Sequence, residues 1–182
     1  MTELDPFVMI NVMGDTGVDA EMRPPGVVTG LYWAVRESFV GYVAGSPDGQ
    51  VFGDGGVETD GEGTFRFPLA SETHAKGRWH LRFEGIVRFI AHGGMLDVML
   101  GSPEITLGDE AGSLVVTHGS SELRILDVTP AEPVELEGGW RVFPPLMTTL
   151  TAAGSSLFGD VYEAGEPFAP IQIALPARSA AS

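Results

Sequence analysis

The chain has 182 residues, of which 25 are acidic and 10 basic, for a formal net charge of −15; such a charge repels nucleic acid and anionic membrane surfaces. Hydrophobic residues make up 43% and charged residues 19%, the balance of a globular domain with room for one real core. There is no cysteine, which excludes disulfides, thiolate metal sites and cysteine nucleophiles.

The opening "MTELDPFVMINVMGDTG" lacks the basic stretch and long apolar run of a secretory signal. No segment approaches the length of a membrane span. The expectation is therefore a soluble, cytoplasmic protein without membrane insertion. Residues 6–13, "PFVMINVM", read as a short strand or a packing segment, and "GDTGVDAEMRPPG" reads as a loop with a proline stop. In "LYWAVRESFVGYVAG", residues Leu31, Ala34, Val35, Ser38, Phe39 and Tyr42 recur at the spacing of one helical stripe. The spacing predicts one main helix over about residues 30–44, with Gly45 as a C-cap. Tyr42 lies in line with that apolar stripe. Its hydroxyl needs a partner when buried, so it is either a satisfied core tyrosine or a group that touches something other than protein.

Beyond the helix the chain is punctuated by turns, as its 25 glycines and 13 prolines suggest. "GQVFGDGGVETDGEGTFRFPL" reads as an acidic, glycine-rich hairpin. Its Asp54, Glu58, Asp60 and Glu62 lack the regular ligand spacing of a calcium loop, which leaves a solvated loop. "RWHLRFEGIVRFIAHGG" is the clearest strand pair: Leu81, Phe83, Val87 and Phe89 share one parity, and Arg82, Glu84, Arg88 and His92 the other. Ile86 and Ile90 interrupt that polar parity, as though something covers part of the face. Strands follow at "MLDVMLGSPEITL", "GSLVVTH", "SELRILDVTP", "VELEGGWRVFP" and "PIQIAL". "TTLTAAGSSLFG" (148–159) is a second, short helical candidate. The pattern predicts an all-β fold with short helices, an antiparallel β-sandwich.

Motifs of familiar chemistry are missing. There is no nucleophile elbow, no P-loop and no paired-histidine zinc helix. His74 falls in a charged loop, facing solvent, and His80 and His118 fall at strand ends as hydrogen-bonded surface groups. His92 sits where a strand of mixed polarity meets the turn "AHGG"; spacing alone reads it as a turn histidine bonded to the backbone.

Three segments together resemble a known family. "LYWAVRESFVGYV" resembles the L-x-W-x-x-x-x-S-F-x-x-Y motif of HtaA-type haem-uptake domains of Gram-positive bacteria. "FEGIVRFIAHGGMLDVMLGSPEITL" is similar to that family's G-x-V-x-F-x-x-H-x-G-x-L-D segment, and "LTAAGSSLFGDVYEAGEPFAPIQIAL" to its closing segment. The resemblance divides the chain into an N-terminal extension (1–27), a haem-binding domain (28–175) and a tail (176–182). It implies haem b as cofactor, with Tyr42 as the axial iron ligand and His92 hydrogen-bonded to it. Phenolate is a hard anionic donor suited to ferric iron. Free tyrosine ionises only near pH 10, so iron and a histidine partner would have to favour its anion. Ser38 would then bond a propionate, Phe39, Val35, Ile86 and Ile90 would cover the porphyrin, and Arg88 and Arg82 would answer the propionate charge. The implied function is haem transfer, storage or buffering, with a haem donor or acceptor as partner and room for a homodimer. Family members are usually exported or membrane-tethered, and this sequence departs from them in showing neither signal nor anchor. Two other readings follow. One is a cytoplasmic haem-dependent enzyme using the same tyrosinate-ligated haem, with Met9, Met13 or Met95 on its free face. The other is a sandwich that has lost haem and takes another apolar ligand or a protein.

Overall fold

A computed structural model describes residues 28–60 and 63–178. The expected strand at 6–13, together with Met9, Met13 and Glu62, lies outside the described residues. Those residues form fourteen strands and two α-helices. The chain opens with β1 (Gly30–Trp33) and α1 (Glu37–Gly45), then β2 (Gln50–Asp54), β3 (Glu58–Thr59), β4 (Phe65–Phe67), β5 (Leu69–Ala75), β6 (Arg78–Phe83) and β7 (Ile86–Ala91). A 3-10 turn at His92–Gly94 leads into the long β8 (Leu96–Leu107), followed by β9 (Gly112–His118) and β10 (Ser121–Val128). The last part holds β11 (Val134–Glu135), β12 (Arg141–Val142), β13 (Leu146–Leu150), α2 (Ala152–Leu157) and β14 (Pro167–Leu175).

The pairings are antiparallel along the path β2-β7-β8-β9-β10-β13-β14-β1-β4-β3, with the expected all-β class and sandwich-like layering. Alternation decides which side chains enter the core: Trp79, Leu81 and Phe83 from β6, Val87 and Phe89 from β7, and Leu114 and Val116 from β9 are all buried. The sheet curls until its two ends meet. Phe65 near one end packs edge-on to Phe89 near the other, with ring centroids 5.8 Å apart. Phe39 of α1 lies 5.0 Å from both Phe89 and Phe158, and Phe158 lies 5.1 Å from Phe168. Each such aromatic pair adds about 0.5–1.5 kcal/mol beyond the area it buries. This row of rings fixes α1 in the gap between the sheet ends. Outside the main core, Arg141 of β12 is 5% exposed and makes two 2.7 Å bonds to the Glu72 carboxylate of β5.

Three expectations are corrected. The predicted helix over 30–44 is a strand followed by a shorter helix. Leu31 and Trp33 alternate inward from β1, and Val35 turns the chain at φ 60° before the helix begins at Glu37. Leu31 and Val35 are buried because a strand and a tight turn put them there, not because they lie on a helical stripe. Next, β6 and β7 do not pair with each other: both dock on β8, Leu81 opposite Ile105 and Val87 opposite Leu100. The intervening Gly85, at φ 103°, makes the break. Finally, His74 belongs to β5 rather than a loop, its ring stacked on Trp79 at 3.9 Å.

The acidic segment is bonded locally. Asp54 accepts the Gly55 N–H, Asp60 accepts the Thr64 N–H, and Glu58 pairs with Arg66. No helix among the described residues is long and apolar enough to cross a membrane.

Candidate functional site

Helix α1 has no side-chain N-cap; the Val40 N–H reaches the Arg36 carbonyl, and Glu37 places a negative charge in the first turn. Phe39 and Val43 face the core. Ser38 and Tyr42, also four residues apart, lie on the neighbouring stripe and look out of the sheet. Tyr42 is 53% exposed. Its phenol oxygen stands 2.5 Å from His92 Nε2.

His92 comes from the turn between β7 and β8. That turn runs through three left-handed residues, His92 (φ 55°), Gly93 (φ 66°) and Gly94 (φ 92°). A non-glycine residue rarely adopts this conformation. The Asp48 carboxylate accepts both the His92 N–H (3.0 Å) and the Gly93 N–H (2.7 Å). Those two bonds hold the Asp48 carboxyl below its ordinary pKa.

Tyr42 opens onto a cleft of about 680 Å³, within the range of roughly 300–1,000 Å³ usual for small-molecule sites. Phe39 and Phe158 form its floor, Met95 and the start of β8 (Leu96 to Val98) one wall, and the segment after α2 (Gly159, Val161, Tyr162) the other. Thr151 caps α2 by accepting the Gly154 N–H at 3.0 Å, and Ser155 ties the next turn by donating to the Tyr162 carbonyl at 2.5 Å. At one end of the cleft the Ser38 and Tyr162 hydroxyls lie 2.9 Å apart. The Arg36 guanidinium covers the Tyr162 ring at 5.1 Å and bonds the Pro167 carbonyl and Glu166. The cleft thus has an apolar part, the Ser38–Tyr162 hydroxyl pair, the Asp97 carboxylate, and the Tyr42 phenol that bonds His92. Met95 and Val161, 91% and 74% exposed, form an apolar rim. No group of three or more His, Asp or Glu side chains placed to hold a metal ion occurs among the described residues.

The structure brings together Tyr42, His92, Ser38 and Phe39. The remaining expected positions lie elsewhere. Val35 is fully buried in the core, placed there by the turn that precedes the helix. Ile86 and Arg88 point outward from β7 into a separate shallow depression with Phe52 and Met99. Nothing among the described residues covers that face: Ile86 is 36% and Phe52 47% exposed. Ile90 lies opposite Asp97 on the same outward face. Arg88 is held by two bonds of 2.8 and 2.7 Å to Asp97, so its charge is already answered. That guanidinium holds the Asp97 carboxyl below the usual carboxylate range. Arg82 faces Glu104 at 3.8 Å, and His80 is bonded to the same carboxylate. Sequence reasoning did not single out Asp48 or Tyr162. Tyr162 stood in the closing "LFGDVYEAG" segment and was there to be found; Asp48 acts on backbone groups and leaves no side-chain motif.

Comparisons with known proteins bear on the family and the fold. The sequence pattern of the HtaA family, described as Htaa, matches residues 29–174. The fold is similar to the C-terminal domain of HtaA from Corynebacterium glutamicum: TM-score 0.68, 24% identity, 81% of this chain and 96% of that one. The N-terminal domain of the same protein gives 0.65 at 22% identity, covering 82% and 97%. The structure described as "Heme binding protein HtaB", from the same organism, gives 0.60 at 22% identity, covering 81% and 92%. At these identities the likenesses establish the fold. Among curated proteins none matches the chain.

Proposed function

The chain belongs to the HtaA family, and on that footing we propose that it binds haem b, with Tyr42 as the axial ligand of the iron and His92 as the partner of that ligand. The observation that carries the reading is the phenol oxygen of Tyr42, 2.5 Å from His92 Nε2, on a residue that lines a cleft of about 680 Å³. The relative named as a heme binding protein supports the choice of ligand. The residues fit a flat, largely apolar dianion: Phe39 and Phe158 would give it apolar surface, and the Ser38–Tyr162 pair would offer hydroxyl donors to a carboxylate. Bound ferric haem would supply a Lewis-acidic iron that favours phenolate over phenol. His92 would take up the phenol proton and return a hydrogen bond to the oxygen, fixing its lone pairs.

The cleft opens to solvent and Tyr42 remains half exposed. That suits a protein that holds haem for handover to another protein, or buffers it, more than one that seals it in. The test is a titration of purified protein with haemin. A saturable one-to-one complex with a ferric phenolate charge-transfer band is expected, and the band should vanish in Tyr42→Phe with affinity falling at least tenfold, a loss on the order of that for removing a metal-site partner. Unchanged binding and an unchanged spectrum in Tyr42→Phe would overturn the ligand assignment.

A further inference from the structure

Resting on the haem-binding reading, we infer that Asp48 is a positioning residue for the Tyr42–His92 pair: its carboxylate clamps the turn that presents His92 to the end of the helix that presents Tyr42. Three observations combine. First, strand pairing holds the chain up to Ala91 opposite Leu96 and Gln50 opposite Ile90, but not the turn itself. Its three successive left-handed residues are held within the turn by the Met95 N–H to His92 carbonyl bond at 3.2 Å. A Cβ built on Gly93 or Gly94 would meet nothing within 4 Å, so no packed side chains brace those positions. Two bonds from a single carboxylate to the His92 and Gly93 N–H groups are charge-assisted and correspondingly strong.

Second, Asp48 is itself fixed to the helix. Ser46 donates its hydroxyl to the Tyr42 carbonyl at 2.8 Å and its N–H to the Val43 carbonyl at 3.1 Å. The Gly49 N–H then closes a tight turn on the Ser46 carbonyl at 3.0 Å. Third, these bonds form a closed circuit: Tyr42 carbonyl to Ser46, along the turn to Asp48, across to the His92 backbone, and from the His92 ring back to the Tyr42 phenol. The circuit joins two segments 50 residues apart in sequence, at a surface where burial contributes little. A phenol–imidazole distance can be set closely only if both backbones are held, and Asp48 is the side chain that holds one against the other.

The test is a double-mutant cycle on the full chain, read by the rate of haem loss to an excess of a high-affinity apoglobin. Asp48→Ala should speed haem loss about tenfold or more, the scale of an outer partner of a metal ligand, and about as much as His92→Ala. The double variant should be no faster than His92→Ala, because Asp48 acts through His92. Asp48→Asn, which keeps one acceptor oxygen, should fall between wild type and Asp48→Ala, and it carries the test if the alanine variant does not fold. Wild-type haem loss in Asp48→Ala, or single effects that multiply in the double variant, would overturn the inference. The haem-free protein gives a second readout, amide exchange at His92 and Gly93 by NMR. Protection there should be lost in Asp48→Ala and reduced in Asp48→Asn, and unchanged protection in Asp48→Ala would overturn the clamp. If wild type binds no haem while this protection behaves as expected, the haem reading fails and the clamp stands.

Discussion

At the scale of single residues, the site rests on short polar contacts near the surface, and these are tuned by charge. Asp48 and Asp97 are both exposed, and both have carboxyls held below their ordinary pKa, Asp48 by the Gly93 and His92 N–H groups and Asp97 by the Arg88 guanidinium. A carboxyl with a depressed folded-state pKa adds stability that is complete above the unfolded value of about 4. That stability is lost as pH falls through the lowered folded value. The thermal midpoint of wild type should therefore exceed that of Asp97→Asn by a constant margin from pH 7 to about 5, and the margin should close below about pH 4. A margin that grows on acidification would contradict the assigned direction. Tyr42 and His92 were legible in the sequence through their motifs, although spacing alone left one a core tyrosine and the other a turn histidine. Arg88 looked free because its partner, Asp97, lies on the facing strand, and register is not visible in a list of parities.

At the scale of elements, the helix and the turn after it decide where the site forms. The sequence showed that a helix carries Tyr42 but set its start too early, because Leu31, Val35 and Phe39 are buried for three different reasons that together mimic one stripe. Strand alternation places Leu31, a left-handed turn places Val35, and helix α1 alone places Phe39. The end of α1 depends on close backbone approach. A Cβ on Gly49 would lie 1.7 Å from the Val43 carbonyl oxygen, which no backbone can accept without moving. Gly49→Ala should cost roughly 1–3 kcal/mol, as overpacking does, and should displace Asp48 with it. Chemical denaturation measures the first effect. The second appears as faster haem loss, and a Gly49→Ala protein with wild-type stability would show that the turn is looser than its geometry indicates.

At the scale of the whole molecule, curling of the sheet turns three distant segments into one cleft. Tyr42, His92 and Tyr162 come from a helix near the start, a strand–strand turn in the middle and a loop after the last helix. Their meeting follows from the contact of the two sheet ends through Phe65, Phe89 and Phe39. The all-β class was legible from glycine, proline and alternation, and most strands lie where alternation put them. The order of those strands was not, because pairing such as β6 and β7 both on β8 is a choice among alternatives of similar local quality. The proposed role of this cleft is to hold haem through the Tyr42 oxygen. Resonance Raman spectroscopy of the ferric haem complex, excited in its charge-transfer band, tests it most directly. Tyrosinate ring modes are expected in wild type and should disappear in Tyr42→Phe; a wild-type spectrum without those modes, or modes that survive the substitution, would rule out Tyr42 as the ligand.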